Sequence, residues 1–114
     1  MARATLAKVD APARWSLTGI VVTMTAANTT DKNQFVCSGD DLLIVQNSGA
    51  TPYTVTITSV ADPRTGRVGD VTALSLAAGE IRVFRLSAIG WNQTDGYVYL
   101  EANNASVKFG VVAL

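Results

Sequence analysis

The sequence predicts an all-β fold, because short segments with alternating apolar residues are separated by turn residues along most of the chain. Its 114 residues suit a single domain with a core of ordinary size. Apolar side chains recur with a period of two in segments rich in β-branched residues, which is typical of strands. About eight such segments follow one another at short intervals, and this favours a single-domain antiparallel β-sandwich or a small barrel.

The first element is expected to be an extended N-terminal arm of residues 1–16, followed by the sandwich domain of residues 17–114. Residues 2–13 lack a consistent apolar stripe and Pro12 interrupts them, so no helix is predicted there. The arm carries three cations and ends close to Trp15, which suits a segment that anchors on a partner.

Four strands are predicted in the first half of the domain. Residues 20–25 alternate regularly, and residues 34–37 form a weaker apolar segment. Residues 42–46 are apolar on both faces, which predicts a short central strand. Residues 53–58 have the clearest pattern, with Tyr, Val and Ile on one face and three threonines on the other.

Four more strands are predicted in the second half. Residues 71–76 and 81–86 are separated by an Ala-Ala-Gly-Glu turn. Residues 97–101 and 107–112 are connected through Asn103-Asn104, and asparagine tolerates the positive φ of tight turns. This last pair is therefore predicted to form a hairpin.

The composition argues against several classes of function. Nine basic and nine acidic residues cancel, so no general field attracts a polyanion and direct nucleic-acid binding is not expected. The chain has no histidine, which removes the commonest general base and a common metal ligand. We expect no enzyme activity, no cofactor and no metal site, and we expect the one cysteine, Cys37, to be a small buried apolar residue.

No segment approaches the roughly 20 apolar residues needed to cross a bilayer, and the first residues contain no signal-peptide core. We therefore expect no membrane partner and production in a cytoplasm. The apolar fraction of 48% and the charged fraction of 16% leave few polar residues for the surface. They predict self-association as a dimer or trimer with an apolar interface.

Residues 81–86 do not alternate cleanly. Arg85 falls on the face of Ile81 and Val83, whereas Arg82 falls on the opposite face with Phe84. This pattern has two interpretations. Either Arg85 lies beyond the edge of the sheet, or the outer face is covered by another chain.

A loop rich in charge is predicted between residues 58 and 71. It contains Asp62, Arg64, Arg67 and Asp70. The simplest interpretation is a polar connection between strands, and the functional alternative is a charged contact surface.

Aromatic residues raise the possibility of sugar binding. Trp91, Tyr97 and Tyr99 could stack on pyranose rings, but Trp91 at the base of a loop is better explained as a plug for the end of the sandwich. Trp15, in the arm, is instead expected to anchor on a partner.

A recurring order of motifs resembles a family of phage proteins. An Ala-Gly-Glu turn leads into a strand at residues 77–84, a Trp-Asn-Gln-Thr-Asp-Gly run follows within residues 90–100, and a Val-Lys-Phe strand lies within residues 106–111. Residues 45–50 and 53–57 fit the same order. Together they resemble small structural proteins of tailed-phage and prophage heads, including capsid decoration (cement) proteins of jelly-roll type.

The resemblance implies a jelly-roll-like sandwich that binds the exterior of an icosahedral head and bridges neighbouring major capsid proteins. It implies a place in the virion, no catalytic residues, and the major capsid protein and further copies of the chain as partners. Alternatives are another virion part, such as a tail, fibre or head-tail component, or a carbohydrate-binding module. From the residues themselves, the candidate interface positions are Arg3, Lys8, Arg14, Trp15, Arg64, Arg67 and Arg85.

Overall fold

A computed structural model describes residues 3–37, 40–60, 66, 69–93 and 95–113. Within these residues the chain forms ten strands and one helical turn. They are β1 (Ala4–Thr5), β2 (Lys8–Asp10), β3 (Thr25–Ala26), β4 (Asn33–Val36), β5 (Asp40–Asn47), β6 (Tyr53–Thr58), β7 (Val71–Leu76), β8 (Ile81–Ser87), α1 (Ala88–Trp91), β9 (Tyr97–Ala102) and β10 (Val107–Ala113). No helix in this described part is long and apolar enough to span a membrane.

The strands form two sheets that enclose one core. Sheet I has the order β1-β4-β9-β6-β7, and sheet II has the order β2-β10-β5-β8, with β3 beside β10. Both sheets contribute fully buried side chains to a single cluster, including Phe35 and Leu100 from sheet I and Leu43 and Phe109 from sheet II. The prediction of an all-β fold is therefore confirmed, and the two layers pack as a sandwich.

The chain from β3 to β10 is a long hairpin folded into two layers. Four antiparallel pairs join strands that lie at equal distances from the β6–β7 connection: β3 with β10, β4 with β9, β5 with β8, and β6 with β7. Apart from the β6–β7 connection, each link in this stretch leads from one sheet to the other.

The expected antiparallel arrangement and count of about eight strands need correction. β1 runs parallel to β4 in sheet I, and β2 runs parallel to β10 in sheet II, so both sheets are mixed. These strands have two and three residues and are too short to show a period in the sequence. The part of the expected arm from β1 to β2 therefore pairs with the sandwich, and residues 11–16 belong to the stretch between β2 and β3.

Several predicted strands are confirmed, and β6 and β7 have the predicted bounds. β5 lies between β10 and β8, as expected for a central strand. The strand predicted at residues 20–25 is wrong, since only Thr25 pairs with β10. The alternating Val22 and Met24 instead lie over Gly110 on the outer side of sheet II.

The predicted hairpin at Asn103-Asn104 is also wrong. β9 pairs with β4 and β6 in sheet I, whereas β10 belongs to sheet II, so the turn carries the chain between layers. Asn103 Oδ1 accepts the Thr54 N–H at 3.0 Å, and Asn104 Oδ1 accepts the Ser106 N–H at 2.8 Å. The turn residues were identified correctly, but turn chemistry does not say which strand becomes the neighbour.

Asn47, at the end of β5, connects the two sheets inside the core. Its side chain is fully buried, and Nδ2 donates to the carbonyl oxygens of Thr51 at 2.9 Å and Leu76 at 3.0 Å. Its Oδ1 accepts the Gly49 N–H at 2.9 Å. Because Leu76 ends β7 in sheet I, this amide joins the ends of strands from opposite layers.

Candidate interaction surface

Residues 11–24 form a strap between β2 and β3. The strap begins where the Ala11 N–H donates to the Ala113 carbonyl at 2.7 Å, which continues the β2–β10 pairing. A local turn comes next, in which the Ser16 N–H donates to the Ala13 carbonyl and Ser16 Oγ accepts the Gly19 N–H, both at 3.0 Å. The strap then returns to sheet II at β3.

The end of the strap lies on the outer face of sheet II. A Cβ atom built on Gly110 would come within 2.6 Å of Met24 Sδ and 2.8 Å of Val22 Cγ1, so this glycine leaves the space that the two side chains occupy. Val112, on the same face of β10, is 6% exposed although it lies outside the core cluster. This half of the outer face is therefore apolar and covered.

The middle of the strap presents apolar side chains to solvent. Trp15 and Leu17 are 91% and 99% exposed, and Val21 is 85% exposed. Arg14 is exposed beside Trp15. We call Arg14, Trp15 and Leu17 the strap tip. Large apolar groups left exposed together are typical of surfaces that bind other proteins.

The other half of the outer face of sheet II is an exposed apolar strip. The β5–β8 register places Ile44 opposite Val83, Leu42 opposite Arg85 and Gln46 opposite Ile81. Ile81 and Val83 are each 57% exposed, and Leu42 and Ile44 are half-buried beside them. We call these four apolar residues the strip.

The position of Arg85 excludes the interpretation that it lies beyond the edge of the sheet, whereas a cover by another chain stays a prediction. Because Arg85 is paired with Leu42 within the β5–β8 ladder, it does not lie beyond the sheet. Its guanidinium contacts Asp40 Oδ2 at 3.0 Å at one end of the strip. Arg82 Nε contacts Glu80 Oε1 at 3.3 Å, but Arg82 lies opposite Val45 on the other face of β8. A charged pair therefore borders the strip on its own face only at the Arg85 end.

Two of the predicted interface residues are used within the chain. Arg3 lies 4.1 Å from the centroid of the Tyr99 ring and contacts Glu101 Oε1 at 3.2 Å, so it fastens the start of the chain to sheet I. Lys8 Nζ contacts Asp41 Oδ2 at 3.3 Å, and Asp41 is fully buried. Both residues hold the short parallel strands in place.

The seven predicted interface residues do not form one surface. Arg14 and Trp15 lie on the strap, Arg85 lies beside the strip, and Arg64 and Arg67 fall outside the residues that the structure describes. Of the charged loop, Asp70 is described, and its Oδ1 accepts hydrogen bonds from the N–H and Oγ of Ser59, both at 2.7 Å. These bonds lower the pKa of Asp70.

The apolar residues of this surface were missed, apart from Trp15. Val21 was missed because the alternating pattern placed it within a regular strand at residues 20–25, and Leu17 was missed because it lies outside every predicted strand. Ile81 and Val83 carried a detectable signal, since Arg85 breaks the alternation of their strand on the same face.

The outer face of sheet I is more polar, and its Tyr99 is engaged by other side chains. Tyr99 donates its hydroxyl to the Asp95 carboxylate, which lowers the pKa of Asp95 and raises the pKa of Tyr99. Arg3 lies over the Tyr99 ring, where a sugar would have to stack. Trp91 packs against the core, as expected for a plug, and Cys37 is buried as predicted.

A scan against protein-family models, a search of curated proteins and a search of solved structures each returned no match. The surface must therefore be interpreted from its own residues. It combines an exposed strap tip, on a strap whose two ends pair with β10, with an exposed apolar strip on sheet II. Such a surface is suited to binding other proteins.

Proposed function

We propose that this protein is a phage capsid decoration protein that binds the outer surface of the head and stabilises contacts between major capsid subunits. The observation that carries the proposal is the strap tip, where Trp15 and Leu17 are almost fully exposed on a sandwich scaffold. The motif resemblance points to the capsid as the partner, and the exposed tip is the kind of anchor that such a partner would bury.

The strand connectivity supports the same class. In a jelly roll, a long hairpin is rolled so that pairs of strands alternate between two sheets. The four antiparallel pairs arranged around the β6–β7 connection agree with that description. We infer that this is a jelly-roll-like sandwich to which two short parallel strands have been added at its start.

In the proposed mechanism, many copies of the protein each make a weak contact with the capsid. Burying one large apolar side chain contributes about 1.5–3 kcal/mol, so Trp15 and Leu17 together could anchor one copy on the capsid. Arg14 beside them would favour docking on an acidic exterior. Many copies attached to one shell would then resist separation of capsid subunits collectively, since each added contact acts on the same assembly.

Binding to empty expanded heads, assembled from the major capsid protein of the same genome, tests the proposal. The wild-type chain should sediment with the heads to saturation. The double variant Trp15→Ala/Leu17→Ala should bind at least about 30-fold more weakly, as expected for loss of central anchors. Val36→Ala, an exposed apolar residue on sheet I, is the matched control and should bind like the wild type.

Point substitutions are better than truncation for this test. Deleting residues 2–16 would also remove β1 and β2 from the two sheets. If the heads sediment while the wild-type chain stays in the supernatant, even at a saturating concentration of the chain, the proposal is overturned. Labelling confined to tails or fibres in negative-stain images would instead assign the protein to another part of the virion.

A further inference from the structure

The strap is longer than the distance it has to cover. It leaves sheet II where Ala11 bonds to Ala113, at the end of β10. It returns where Thr25 pairs with Phe109, nearer the start of the same strand. These two points lie roughly 13 Å apart, because a strand rises about 3.3 Å per residue. The extended strap could span roughly 45 Å. A connection with this much extra length is typical of binding loops.

The first part of the extra length forms a turn with Trp15 at its corner. The Ser16 N–H closes this turn by donating to the Ala13 carbonyl at 3.0 Å, and Arg14 and Trp15 are its central residues. The side chains of central turn residues point away from the hydrogen bond that closes the turn. The turn therefore presents a cation and an indole next to each other.

A second turn follows directly and is closed by the side chain of Ser16. Ser16 Oγ accepts the Gly19 N–H at 3.0 Å, and Leu17 lies between these two residues. Gly19 has a φ of 65°, in the left-handed region that favours glycine. A Cβ atom built there would meet nothing within 4 Å, so the backbone conformation and not the packing requires glycine. Ser16 thus joins the turn of Trp15 to the turn of Leu17.

We propose that Ser16 and Gly19 are positioning residues that hold the strap tip as a preformed anchor, which inserts into a concave apolar pocket with a carboxylate at its rim. This inference deepens the proposed function and rests on it for the identity of the partner. An anchor that is already ordered in the free chain loses less conformational entropy on binding than a flexible loop does. The two turns therefore raise the affinity without contacting the partner themselves.

The exposure of the strap tip indicates the shape of the partner's surface. Trp15 is 91% exposed and Leu17 is 99% exposed, so nearly the whole of each side chain is available for burial. A flat surface would cover only one side of a projecting indole, whereas a pocket encloses both of its faces. Tryptophan anchors of protein interfaces fill such pockets.

The charge beside the indole indicates the rim of the pocket. Arg14 forms no ion pair within the part of the chain that the structure describes, although other cations there do contact a carboxylate. Those cations are Arg3, Lys8, Arg82 and Arg85. The exposed guanidinium of Arg14 is therefore available to a carboxylate of the partner, which it can bind through two parallel hydrogen bonds.

Backbone ¹⁵N relaxation of the free full-length chain tests whether the anchor is preformed. The Leu17 amide should have an order parameter of about 0.85 in the wild type and below about 0.6 in Ser16→Ala, which lacks the acceptor of the second turn. Ser16→Thr keeps a hydroxyl and should retain the wild-type value. A Leu17 amide that is equally ordered in the wild type and Ser16→Ala, or flexible in both, would overturn the preformed anchor.

Substitution of the glycine tests the same turn from its other end. Gly19→Ala should also lower the Leu17 order parameter, because alanine disfavours the left-handed conformation, whereas Gly19→Asn should preserve it better. Gly79→Ala is the matched control, since Gly79 has a φ of 77° and open space around it in a different turn. If Gly79→Ala changed the Leu17 amide as much as Gly19→Ala does, the positioning role of Gly19 would be overturned.

Binding to empty expanded heads tests the effect on the partner. Ser16→Ala should bind about 5-fold more weakly, the equivalent of one net hydrogen bond, and Ser16→Thr should bind like the wild type. All three chains should unfold at the same denaturant concentration, because the bond lies at an exposed turn. Equal binding of the wild type and Ser16→Ala would overturn the positioning role.

Arg14 variants test the carboxylate at the rim of the pocket. Arg14→Glu should bind heads at least about 10-fold more weakly than the wild type, because two carboxylates would then face each other. Arg14→Lys keeps the charge and should lose less. If Arg14→Glu bound as tightly as the wild type, the carboxylate would be excluded.

The anchor and the proposed function can fail separately. If the wild-type chain does not bind heads, capsid decoration and the pocket on the head are overturned, and the order parameters of the free chain still decide whether the anchor is preformed. If the wild type and Ser16→Ala bind heads equally well, the positioning role is overturned and capsid decoration stands.

Discussion

The outer faces of the two sheets differ although the same core supports both. Sheet I presents threonines on β6 and tyrosines on β9, and Arg3 and Asp95 bind the ring and the hydroxyl of Tyr99. Sheet II presents apolar side chains on β5 and β8 that are half-buried or exposed, and its neighbouring strand β10 is covered by the strap at Gly110. Side chains alternate between the core and the outer face in both sheets. The outer face of sheet I binds polar groups of its own chain, whereas that of sheet II leaves apolar side chains open to a partner.

The difference separates a face that is held by contacts within the chain from a face that is left exposed. On sheet I, Arg3 pairs with Glu101 and stacks its guanidinium on an aromatic ring, which fastens β1 to the sandwich. On sheet II, the exposed strip and the strap tip have no such partners among the described residues. Substitutions at three positions test the shared core, the outer face of sheet II and the outer face of sheet I one at a time.

The largest effect is expected at Asn47, which supports both faces because it joins the ends of the sheets. Asn47→Ala removes two donated and one accepted hydrogen bond from a fully buried site and should lower the free energy of unfolding by about 2–4 kcal/mol. Chemical denaturation followed by circular dichroism measures it. Asn103→Ala removes one bond at an exposed turn and should cost less than about 1 kcal/mol. Equal losses would contradict the role of Asn47 in joining the sheets.

An intermediate effect is expected at Gly110, which acts on sheet II alone. Gly110→Ala places a Cβ 2.6 Å from Met24 Sδ and should lower the free energy of unfolding by about 1–3 kcal/mol as the strap is displaced. Trypsin should then cleave after Arg14 faster than in the wild type. Gly69→Ala is the control, since its added Cβ meets no atom within 4 Å. Unchanged cleavage and stability in Gly110→Ala would show that the strap does not rest on this face.

The smallest effect is expected at Tyr99, which acts on sheet I alone. Tyr99→Phe removes the hydroxyl that donates to Asp95, so the pKa of Asp95 should rise toward its ordinary value. A lowered pKa in the folded state stabilises the protein above the ordinary value of about 3.9, and this stabilisation is lost as the pH falls through the folded pKa. The variant should therefore show a smaller loss of stability on acidification.

Carboxyl chemical shifts followed by NMR through an acid titration measure this change directly. The pKa of Asp70, which Ser59 lowers on a different loop, should be the same in both proteins and serves as the internal reference. If the pKa of Asp95 is as low in Tyr99→Phe as in the wild type, a group other than the Tyr99 hydroxyl lowers it.

The fold class was predictable because its signal is local. The bounds of β6 and β7 follow from β-branched alternation, and the buried Cys37 follows from its apolar neighbours. The strands β1 and β2 were not predictable, since two or three residues carry no period. The strand predicted at residues 20–25 shows the converse, because an alternating segment can lie over a sheet when a glycine such as Gly110 leaves room for it.

The candidate surface was predictable in part. Trp15 was expected to anchor on a partner, which stays a prediction, and it is 91% exposed. The irregular position of Arg85 raised the possibility of an outer face covered by another chain, and Arg85 lies within the β5–β8 ladder. The roles of Arg3 and Lys8 were not predictable, since their partners Glu101 and Asp41 lie far away in the chain. A charge in a sequence does not reveal whether an opposite charge folds against it.

The order of amino acids by itself determined the β class, the position of most turns and the two faces of the longer strands, because these depend on neighbours in the chain. Which strands become partners, and which face is covered, depends on contacts between distant residues. When the long hairpin folds over, Val22 and Met24 pack against Gly110. The same folding pairs β8 with β5, and the outer side of this pair carries the exposed strip. As a result, one half of the outer face of sheet II is covered by the strap and the other half is exposed.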